Sequence, residues 1–344
     1  MTSEETKNST PKKGLTRRDF IAAGLGGAAL AAFGLYLWPQ LSRPKWREQT
    51  FIGKAPDYRA DITAVILSGF RELGISPAEI RGKRILLKPN LVETDLGAIH
   101  INTHPAVIYG AGQAFLKLGA AQVIVGEGPG HCRDTLMLLE ESGLAAVLWA
   151  DRIPFVDLNY ETGYAIRNPG RYSSLTHLTF PETLRQVDWV VSLAKLKTHH
   201  WAGVTLSMKN LFGVMPGSYY GWPKNVLHHA GIEGSILDIV YALKPQLAIV
   251  DGIVGMEGDG PIMGTPKQAG VLVMGRNLPA VDATCARVMG IDPRRVEYLA
   301  KAEQFLGPIR ETEIMQVGEA VAGVRSPFKL VDFIPAHRKL LPLI

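Results

Sequence analysis

The sequence has few cysteines and little excess charge, and both deficits narrow the range of functions. Its two cysteines are Cys132 and Cys285, whereas a cysteine-ligated iron–sulfur cluster needs about four thiolates. An iron–sulfur cluster bound by this chain is therefore excluded, which leaves one disulfide or two unpaired thiols in a packed interior. The net charge of +5 is modest, and much of it comes from N-terminal Lys and Arg residues, so no nucleic-acid partner is expected.

Internal repeats and low-complexity linkers are also missing from the sequence. Its hydrophobic content of 47% and charged content of 20% are typical of globular proteins. A chain of 344 residues can bury a large core. We therefore expect one large α/β domain over residues 46–344, preceded by a separate segment of residues 1–45.

That N-terminal segment contains a long uncharged run. Arg17 and Arg18, followed by Asp19, stand before the residues from Phe20 to Trp38, none of which is charged. The order Thr-Arg-Arg-Asp-Phe-Ile resembles a twin-arginine export signal, and the alternative is an ordinary transmembrane anchor. Because no Ala-x-Ala cleavage site closes the run, retention as an N-terminal anchor stays open. The expected location is the periplasm or the outer face of the inner membrane, with the twin-arginine translocase as a partner and inner-membrane association as an open alternative.

Beyond residue 57, apolar runs alternate with segments of helical period. Strands are predicted at RILLKPN (84–90), AQVIVGEG (121–128), FVDLN (155–159), VDWVVSLAKLK (187–197), LAIVDGI (247–253) and GVLVMG (270–275). Helices are predicted over residues 57–73, 104–118, 134–144, 232–243 and 279–289, and residues 160–181 read as a long loop or a small hairpin. This alternation predicts an α/β fold with a mostly parallel sheet, helices on both faces and Rossmann-like layers.

Polar residues follow four of the predicted strands. They occur in KPN (88–90), GEGPGH (126–131), KLKTHH (195–200) and DGIVGMEGDGPIMG (251–264). Ligands of open parallel sheets collect beyond the carboxyl ends of the strands. Turn geometry explains the glycines in these stretches but leaves the charges unexplained, so we expect one ligand site at this edge.

The segment KLKTHHWAGVTLSMKNLFGVMPG (195–217) is the strongest candidate for a wall of that site. Imidazoles move protons near neutral pH, and a desolvated lysine can act as a nucleophile or covalent tether. We predict a helical turn at SMKNLFG, with the hydroxyls at its start facing an anionic ligand. The predicted catalytic residues are His199, His200, Lys209 and His131, and the predicted substrate-binding residues are Lys88, Asn90, Glu127, Lys197, Thr205, Ser207 and Asn210.

A second histidine pair and the acidic stretch at 251–259 raise the alternative of a divalent metal cofactor. Oxygen ligands on a flexible loop suit magnesium or calcium, although the stretch does not match the twelve-residue calcium loop. The acidic residues can instead pair with the lysines. The candidate metal ligands are His228, His229, Asp251, Glu257 and Asp259.

Taken in order, these motifs resemble the family called domain-of-unknown-function family 362. The resemblance covers residues 85–307 and rests on LLKPNLV, NTHPAVI, GEGPG, the 195–217 segment, the histidines at 228–229, DGIVGMEGDGPIMGTPKQAGVLVMG and AVDATCARVMGIDP. Many members of that family carry an appended ferredoxin-type cluster module, whose cysteines this chain lacks. The resemblance therefore gives no support for an electron-transfer role.

The order of motifs is also similar to that of the lactate racemase catalytic domain. This similarity implies a proton-shuttling histidine at His199 or His200 and a cofactor lysine at Lys209. It also implies a nickel ligand at position 228 or 229 and a second acid–base group at His131. SMK replaces the racemase glycine pair before the lysine, however, and the arginine-rich anion clamp of the racemase is not visible.

The leading hypothesis is an exported α/β enzyme, racemase-like, isomerase-like or oxidoreductase-like, that acts on a small anionic or carbonyl-bearing ligand. Positive charge from lysines would stabilise a developing oxyanion while histidines move a proton. The alternative is a periplasmic metal- or anion-binding protein without turnover. A structural or partner-binding protein explains the charges at the strand ends least well.

Overall fold

A computed structural model of the chain describes residues 46–94, 97–130 and 134–341. The predicted export signal or anchor at 1–45 and the candidate His131 lie outside the described residues. The strands are β1 (Glu48–Lys54), β2 (Arg84–Pro89), β3 (Gln122–Glu127), β4 (Phe155–Asp157), β5 (Gly163–Arg167), β6 (His177–Pro181), β7 (Trp189–His199), β8 (Gly203–Thr205), β9 (Leu247–Glu257), β10 (Thr265–Gly275) and β11 (Ile314–Gly318).

The α-helices vary from single turns to segments of 13 residues. They are α1 (Ile62–Glu72), α2 (Pro77–Ile80), α3 (Pro105–Lys117), α4 (Thr135–Glu141), α5 (Leu144–Ala150), α6 (Thr183–Gln186), α7 (Ser207–Asn210), α8 (Gly217–Tyr220), α9 (Asn225–His229), α10 (Ile232–Leu243), α11 (Leu278–Val288), α12 (Glu297–Ala302), α13 (Val321–Val324) and α14 (Pro335–Leu340). Short 3₁₀ helices occur at Leu211–Val214, Pro293–Arg295 and Glu311–Glu313.

Within the described residues the main sheet has nine strands in the order β11-β1-β10-β9-β7-β2-β3-β4, with β8 paired to β7. The neighbours β9-β7-β2-β3-β4 run parallel, as do β1 and β11. Antiparallel pairs join β1 to β10, β10 to β9 and β7 to β8. The mostly parallel α/β sheet predicted from the sequence is thus confirmed.

Helices cover both faces of the sheet because neighbouring residues of its buried strands point to opposite sides. Ile85 and Leu87 pack in one hydrophobic core with α1 and α3. Leu86, between them, packs in the other core with α10 and α11. This alternation explains why the predicted strands read as almost continuously apolar runs.

Two predicted boundaries are wrong. A single helix was expected over 134–144, but the backbone of Gly143 has a φ of +74° and separates α4 from α5. A loop was expected after β9, but β9 continues to Glu257 and pairs with β10 from Thr265 onward. The edge strand β11 and its neighbour β1 also have no counterpart in the prediction. The irregular stretch at 160–181 contains the antiparallel pair β5 and β6, so the hairpin alternative is the right one.

Candidate functional site

A cavity of about 460 Å³ opens where β2, β3 and β7 end. Eleven of the residues predicted from the sequence line it: Lys88, Asn90, Glu127, Lys197, His199, His200, Thr205, Lys209, Asn210, His228 and Asp259. Apolar side chains complete the walls, among them Leu91, Val92, Trp201, Phe212, Pro223, Ile262 and Met263. A volume of this size, with apolar walls and a few polar groups, is typical of a small-molecule site.

Lys88 and Glu127 form a buried ion pair at the floor of the cavity. Lys88 Nζ lies 2.7 Å from Glu127 Oε2 and donates to Asn210 O at 2.6 Å and Asn210 Oδ1 at 2.9 Å. Glu127 also accepts hydrogen bonds from the backbone N–H groups of Leu91 and Gly128. Burial lowers the pKa of Lys88 and raises the pKa of Glu127, while each charge opposes the shift of the other. The pair is fully satisfied by its partners and joins the ends of β2 and β3.

The glycine in the LFGVMPG motif gives this ion pair its space. A Cβ atom at Gly213 would collide with Glu127 Oε1 and Lys88 Nζ. The carbonyl of Gly213 accepts a hydrogen bond from Gly128 N at 2.9 Å. The 3₁₀ turn therefore lies directly against the end of β3, which requires glycine at this position.

Lys197 is fixed by two backbone carbonyls. Its Nζ donates to Ile101 O at 2.9 Å and to Pro261 O at 3.2 Å. Burial lowers the pKa of Lys197 well below that of a free lysine, and neighbouring positive charges lower it further. Its hydrogen bond to Pro261 O anchors the loop of residues 258–264, which covers one side of the cavity.

That 258–264 loop is attached to β7 at two more points. Thr198 Oγ1 donates to Gly258 O at 2.7 Å, and His200 N donates to Gly260 O at 2.9 Å. A Cβ atom at Gly260 would collide with the carbonyl oxygen of Thr198. The loop therefore follows the end of β7 closely.

Lys224 is a cavity residue that the sequence analysis did not select. It lies next to the second histidine pair, and its backbone adopts a left-handed conformation with φ +68°. Its Nζ donates to Met215 O at 2.6 Å and also to Asn159 Oδ1. Burial lowers the pKa of Lys224 to about 7. Sequence periodicity gives no signal for a side chain turned inward from a left-handed residue.

Lys209 differs from the other cavity lysines because no described residue accepts a hydrogen bond from its amine. Its side chain is 9% exposed, and its Nζ lies 3.8 Å from the centroid of the Phe212 ring. Burial, assisted by the positive charge of Lys88, lowers the pKa of Lys209 to about 7. Near neutral pH a large fraction of this amine is therefore uncharged, with a free lone pair.

The short helix α7 that carries Lys209 is capped from outside the cavity. Asp282 on α11 accepts hydrogen bonds from Ser207 N at 2.8 Å and Met208 N at 3.1 Å, and also from Ser207 Oγ. Burial raises the pKa of Asp282 to about 7. The predicted helical turn is present, but Ser207 turns away from the cavity, and the expectation that its hydroxyl faces a ligand is wrong.

Two histidines of the cavity have different neutral tautomers. Nδ1 of His199 accepts from the backbone N–H groups of Trp201 and Ala202 at 3.0 and 3.3 Å, so Nε2 carries the proton. Nδ1 of His228 lies 3.0 Å from Lys224 O; a carbonyl only accepts, so here Nδ1 carries the proton and Nε2 is free to accept. Burial lowers the pKa of His199 well below 6.5 and that of His228 to about 4, so both rings are neutral at pH 7.

Two buried polar atoms of the cavity residues are without protein partners. Asn90 Oδ1 and Thr205 Oγ1 are inaccessible and make no hydrogen bond with any described residue. Unpaired buried polar groups are costly and rare in folded proteins.

The candidate metal ligands do not come together. Asp251 pairs with Lys195, Glu257 accepts from Lys329 N at 2.8 Å, and the side chain of His229 is exposed. Asp259 lies 3.7 Å from His200 Nδ1. Among residues 46–94, 97–130 and 134–341, no group of three His, Cys, Asp or Glu side chains is arranged to hold a metal ion.

Asp251 belongs to a separate polar cluster that lies outside the cavity, so the expectation that it lines the same cleft is wrong. Its carboxylate accepts from Lys195 Nζ at 2.8 Å and Tyr58 OH at 3.1 Å, and from His104 N at 3.0 Å. Tyr58 and His104 stack with ring centroids 3.6 Å apart. Every charge of this cluster has a partner of opposite sign or a hydrogen bond.

Fold and site together define an α/β protein with a lysine- and histidine-lined cavity at the carboxyl edge of its sheet. The family described as a domain of unknown function, DUF362, matches residues 85–287, more than half of the chain. The chain belongs to this family.

Two comparisons describe its similarity to other proteins. A thylakoid-associated protein of Synechocystis sp. is 30% identical over 232 residues, covering 65% of this chain and 68% of that protein. A crystal structure of a protein from Thermotoga maritima is similar with a TM-score of 0.40 and 13% identity, covering 68% of this chain and 59% of that one. The chain thus spans less than two thirds of the Thermotoga protein. No helix in the described part of the chain is both long and apolar enough to cross a bilayer.

Proposed function

We propose that this protein is an enzyme that binds a small organic acid in the cavity. It removes and returns a proton on the carbon atom next to the carbonyl or carboxylate group of that acid. The observation that carries the proposal is the amine of Lys209. It is buried, without an acceptor among the described residues, and has a pKa lowered to about 7. Leaving such a group unpaired destabilises the folded state, and perturbed groups of this kind cluster at functional sites.

The two histidines support proton transfer in particular. His199 offers a donor at Nε2 and His228 offers an acceptor at Nε2, and both line the same cavity. A base for the carbon-bound proton and a hydrogen-bond donor for the oxyanion that forms are what proton abstraction next to a carbonyl requires. A bound anion or a developing oxyanion would favour the protonated form of Lys209 and Lys224, whose pKa values are about 7, and the ammonium groups would then stabilise that negative charge.

The test is exchange of substrate protons with deuterium oxide, followed by proton NMR on pyruvate, 2-oxobutyrate and lactate. The protein is expected to speed loss of the signal from the carbon next to the carbonyl or carboxylate. His228→Gln is expected to reduce this rate by about a hundredfold or more, the contribution of a positioned acid–base group. His229→Gln is the matched control, because His229 follows directly in sequence but its side chain is exposed and outside the cavity.

The alternative of a binding protein gives a different result. In that case the three acids raise the melting temperature but none exchanges its protons above the background rate. Absence of both effects would show that the cavity does not take small organic acids.

We also propose that the chain is exported in folded form and acts at the outer face of the inner membrane or in the periplasm. Support comes from Arg17 and Arg18 before the uncharged run and from the thylakoid association named for the Synechocystis relative. The double variant Arg17→Lys, Arg18→Lys is expected to leave the folded protein in the cytoplasm. Normal amounts of the variant in the periplasmic and membrane fractions would contradict export by this route.

A further inference from the structure

Four lysines line the cavity, and their amines differ in the hydrogen bonds that they donate to the protein. Lys88 is engaged by Glu127 and Asn210, and Lys197 by the carbonyls of Ile101 and Pro261. Lys224 is engaged by Asn159 and Met215. These hydrogen bonds hold the three amines against the cavity walls, and an attack on a substrate carbonyl would have to break them.

Lys209 meets the requirements of a nucleophile. The described residues give its amine no acceptor, and its nearest partner is the face of Phe212 at 3.8 Å. Its helix is fixed by the cap from Asp282, so the amine has a defined direction into the cavity. Lys224 is the cavity lysine most similar to Lys209 in pKa, because burial lowers its pKa to about 7 as well. Its amine, however, donates two hydrogen bonds.

We infer that Lys209 condenses with the carbonyl group of a small 2-oxo acid to form an imine. The inference rests on the proposed function and specifies how that function is achieved. Lys224, whose pKa is about 7, can take up a proton beside the carboxylate of such an acid, and the faces of Trp201 and Phe212 suit an apolar or aromatic substituent on it.

The step balances with the groups present. The lone pair of Lys209 Nζ attacks the carbonyl carbon, and the electrons of the C=O π bond move to oxygen, which takes a proton. His228 Nε2 takes one proton from the attacking nitrogen and passes it to that oxygen, which gives the carbinolamine, while the Nε2–H of His199 donates a hydrogen bond to the same oxygen. The second proton of the nitrogen follows the same route to the hydroxyl, which leaves as water as the C=N bond forms. The sum is amine plus ketone giving imine plus water, so no oxidant or reductant takes part.

The experiment is reductive trapping of the full chain with sodium borohydride in the presence of glyoxylate, pyruvate or phenylpyruvate. Borohydride converts an imine into a stable secondary amine, and peptide mass spectrometry then locates the modified lysine. At pH 7 the modification at Lys209 is expected to exceed that at any other lysine by about tenfold or more, because ordinary lysines are almost fully protonated there. Lys209→Arg is expected to abolish the dominant adduct. Lys244→Arg, a change of an exposed lysine outside the cavity, is expected to leave it unchanged.

The outcomes separate this inference from the proposed function. Proton exchange without an adduct at Lys209 from any of the three acids overturns the imine and leaves proton transfer intact. Adducts spread over exposed lysines, or placed on Lys224, also overturn it. Even if Lys209→Arg does not fold, the peptide map of the wild-type chain shows whether the adduct forms on Lys209.

Discussion

Two buried lysines from one short motif, Lys195 and Lys209, lie in opposite electrostatic situations. Lys195 is fully enclosed and pairs with Asp251 at 2.8 Å, with Tyr58 OH 2.9 Å away. Lys209 is almost as buried but faces a cavity, and the described residues give it only the Phe212 ring. Burial lowers the pKa of both, but in Lys195 the carboxylate of Asp251 opposes that shift.

The difference shows which of the two charges serves the fold. A buried ion pair joins elements that are distant in sequence, and losing one partner leaves a charge without compensation. An unpaired buried amine contributes nothing of this kind and destabilises the protein, so its presence is explained by a ligand. Four substitutions test this contrast.

The largest effect is expected from Asp251→Ala. Removing the carboxylate leaves the ammonium of Lys195 buried and unpaired, which is expected to lower the free energy of unfolding by about 3–5 kcal/mol. Denaturant unfolding measures the change. As a control, Glu182→Ala removes the partner of Arg185 in an exposed pair and is expected to change stability by less than about 1 kcal/mol. Equal effects of the two substitutions would mean that the Asp251 cluster is not a structural element.

Gly213→Ala is expected to destabilise the protein by about 1–3 kcal/mol, the usual result of inserting an atom into a packed interior. The new methyl group must displace the ion pair of Lys88 and Glu127, whose atoms occupy its position. Gly323→Ala is a matched control, because no atom lies within 4 Å of a Cβ atom there. If Gly213→Ala were as stable as the wild type, Lys88 and Glu127 would be able to move aside without cost. That result would contradict their buried, fully hydrogen-bonded geometry.

Lys209→Met is expected to raise the free energy of unfolding by about 1–3 kcal/mol at pH 7, whereas the two preceding substitutions lower it. The variant is also expected to lose the proposed activity. The folded protein has a pKa of about 7 for Lys209, and the unfolded chain has one near 10.4. Between these values the unfolded state binds more protons, so wild-type stability rises with pH. The advantage of the methionine variant is therefore full below pH 7 and fades towards pH 10. A variant that is less stable than the wild type at pH 7 would contradict the unpaired state of the amine.

The smallest effect is expected from Asp282→Asn, at about 1 kcal/mol. An asparagine oxygen still accepts from Ser207, but the charge is lost. Because burial raises the pKa of Asp282 to about 7, the folded state binds more protons than the unfolded state between pH 4 and 7. The stability of the wild type therefore falls as pH rises through this range, and the variant is expected to lack that slope. An identical slope in thermal unfolding of both proteins would place the titration elsewhere.

Sequence reasoning succeeded where a rule of geometry links sequence to position. Apolar runs identified the central strands, and the carboxyl edge of a parallel sheet is where their polar ends must meet. Lys88, Glu127 and His199 lie in one cavity for that reason. The same rule failed for Asp251, because β9 continues past it and its side chain meets Lys195 within the sheet.

Other details depend on contacts that have no local signature. His228 lines the cavity and His229 does not, since successive residues of a helix point about 100° apart and the sequence does not fix the rotation of a helix as short as α9. Ser207 turns towards Asp282, a residue 75 positions away. Lys224 enters the cavity from a left-handed backbone, which sequence patterns seldom reveal.

The attachment of the 258–264 loop has a consequence for how proteins of this architecture can diverge. The loop is held to β7 through the main-chain carbonyls of Gly258, Gly260 and Pro261, so most of its side chains take no part in its anchoring. Exchanges at positions 262 and 263 would reshape one wall of the cavity without loosening the loop. Insertions or deletions would instead pull these carbonyls out of register with β7. Proteins of this architecture are therefore expected to acquire new ligand preferences by point substitutions in the 258–264 loop, while the length of the loop stays constant.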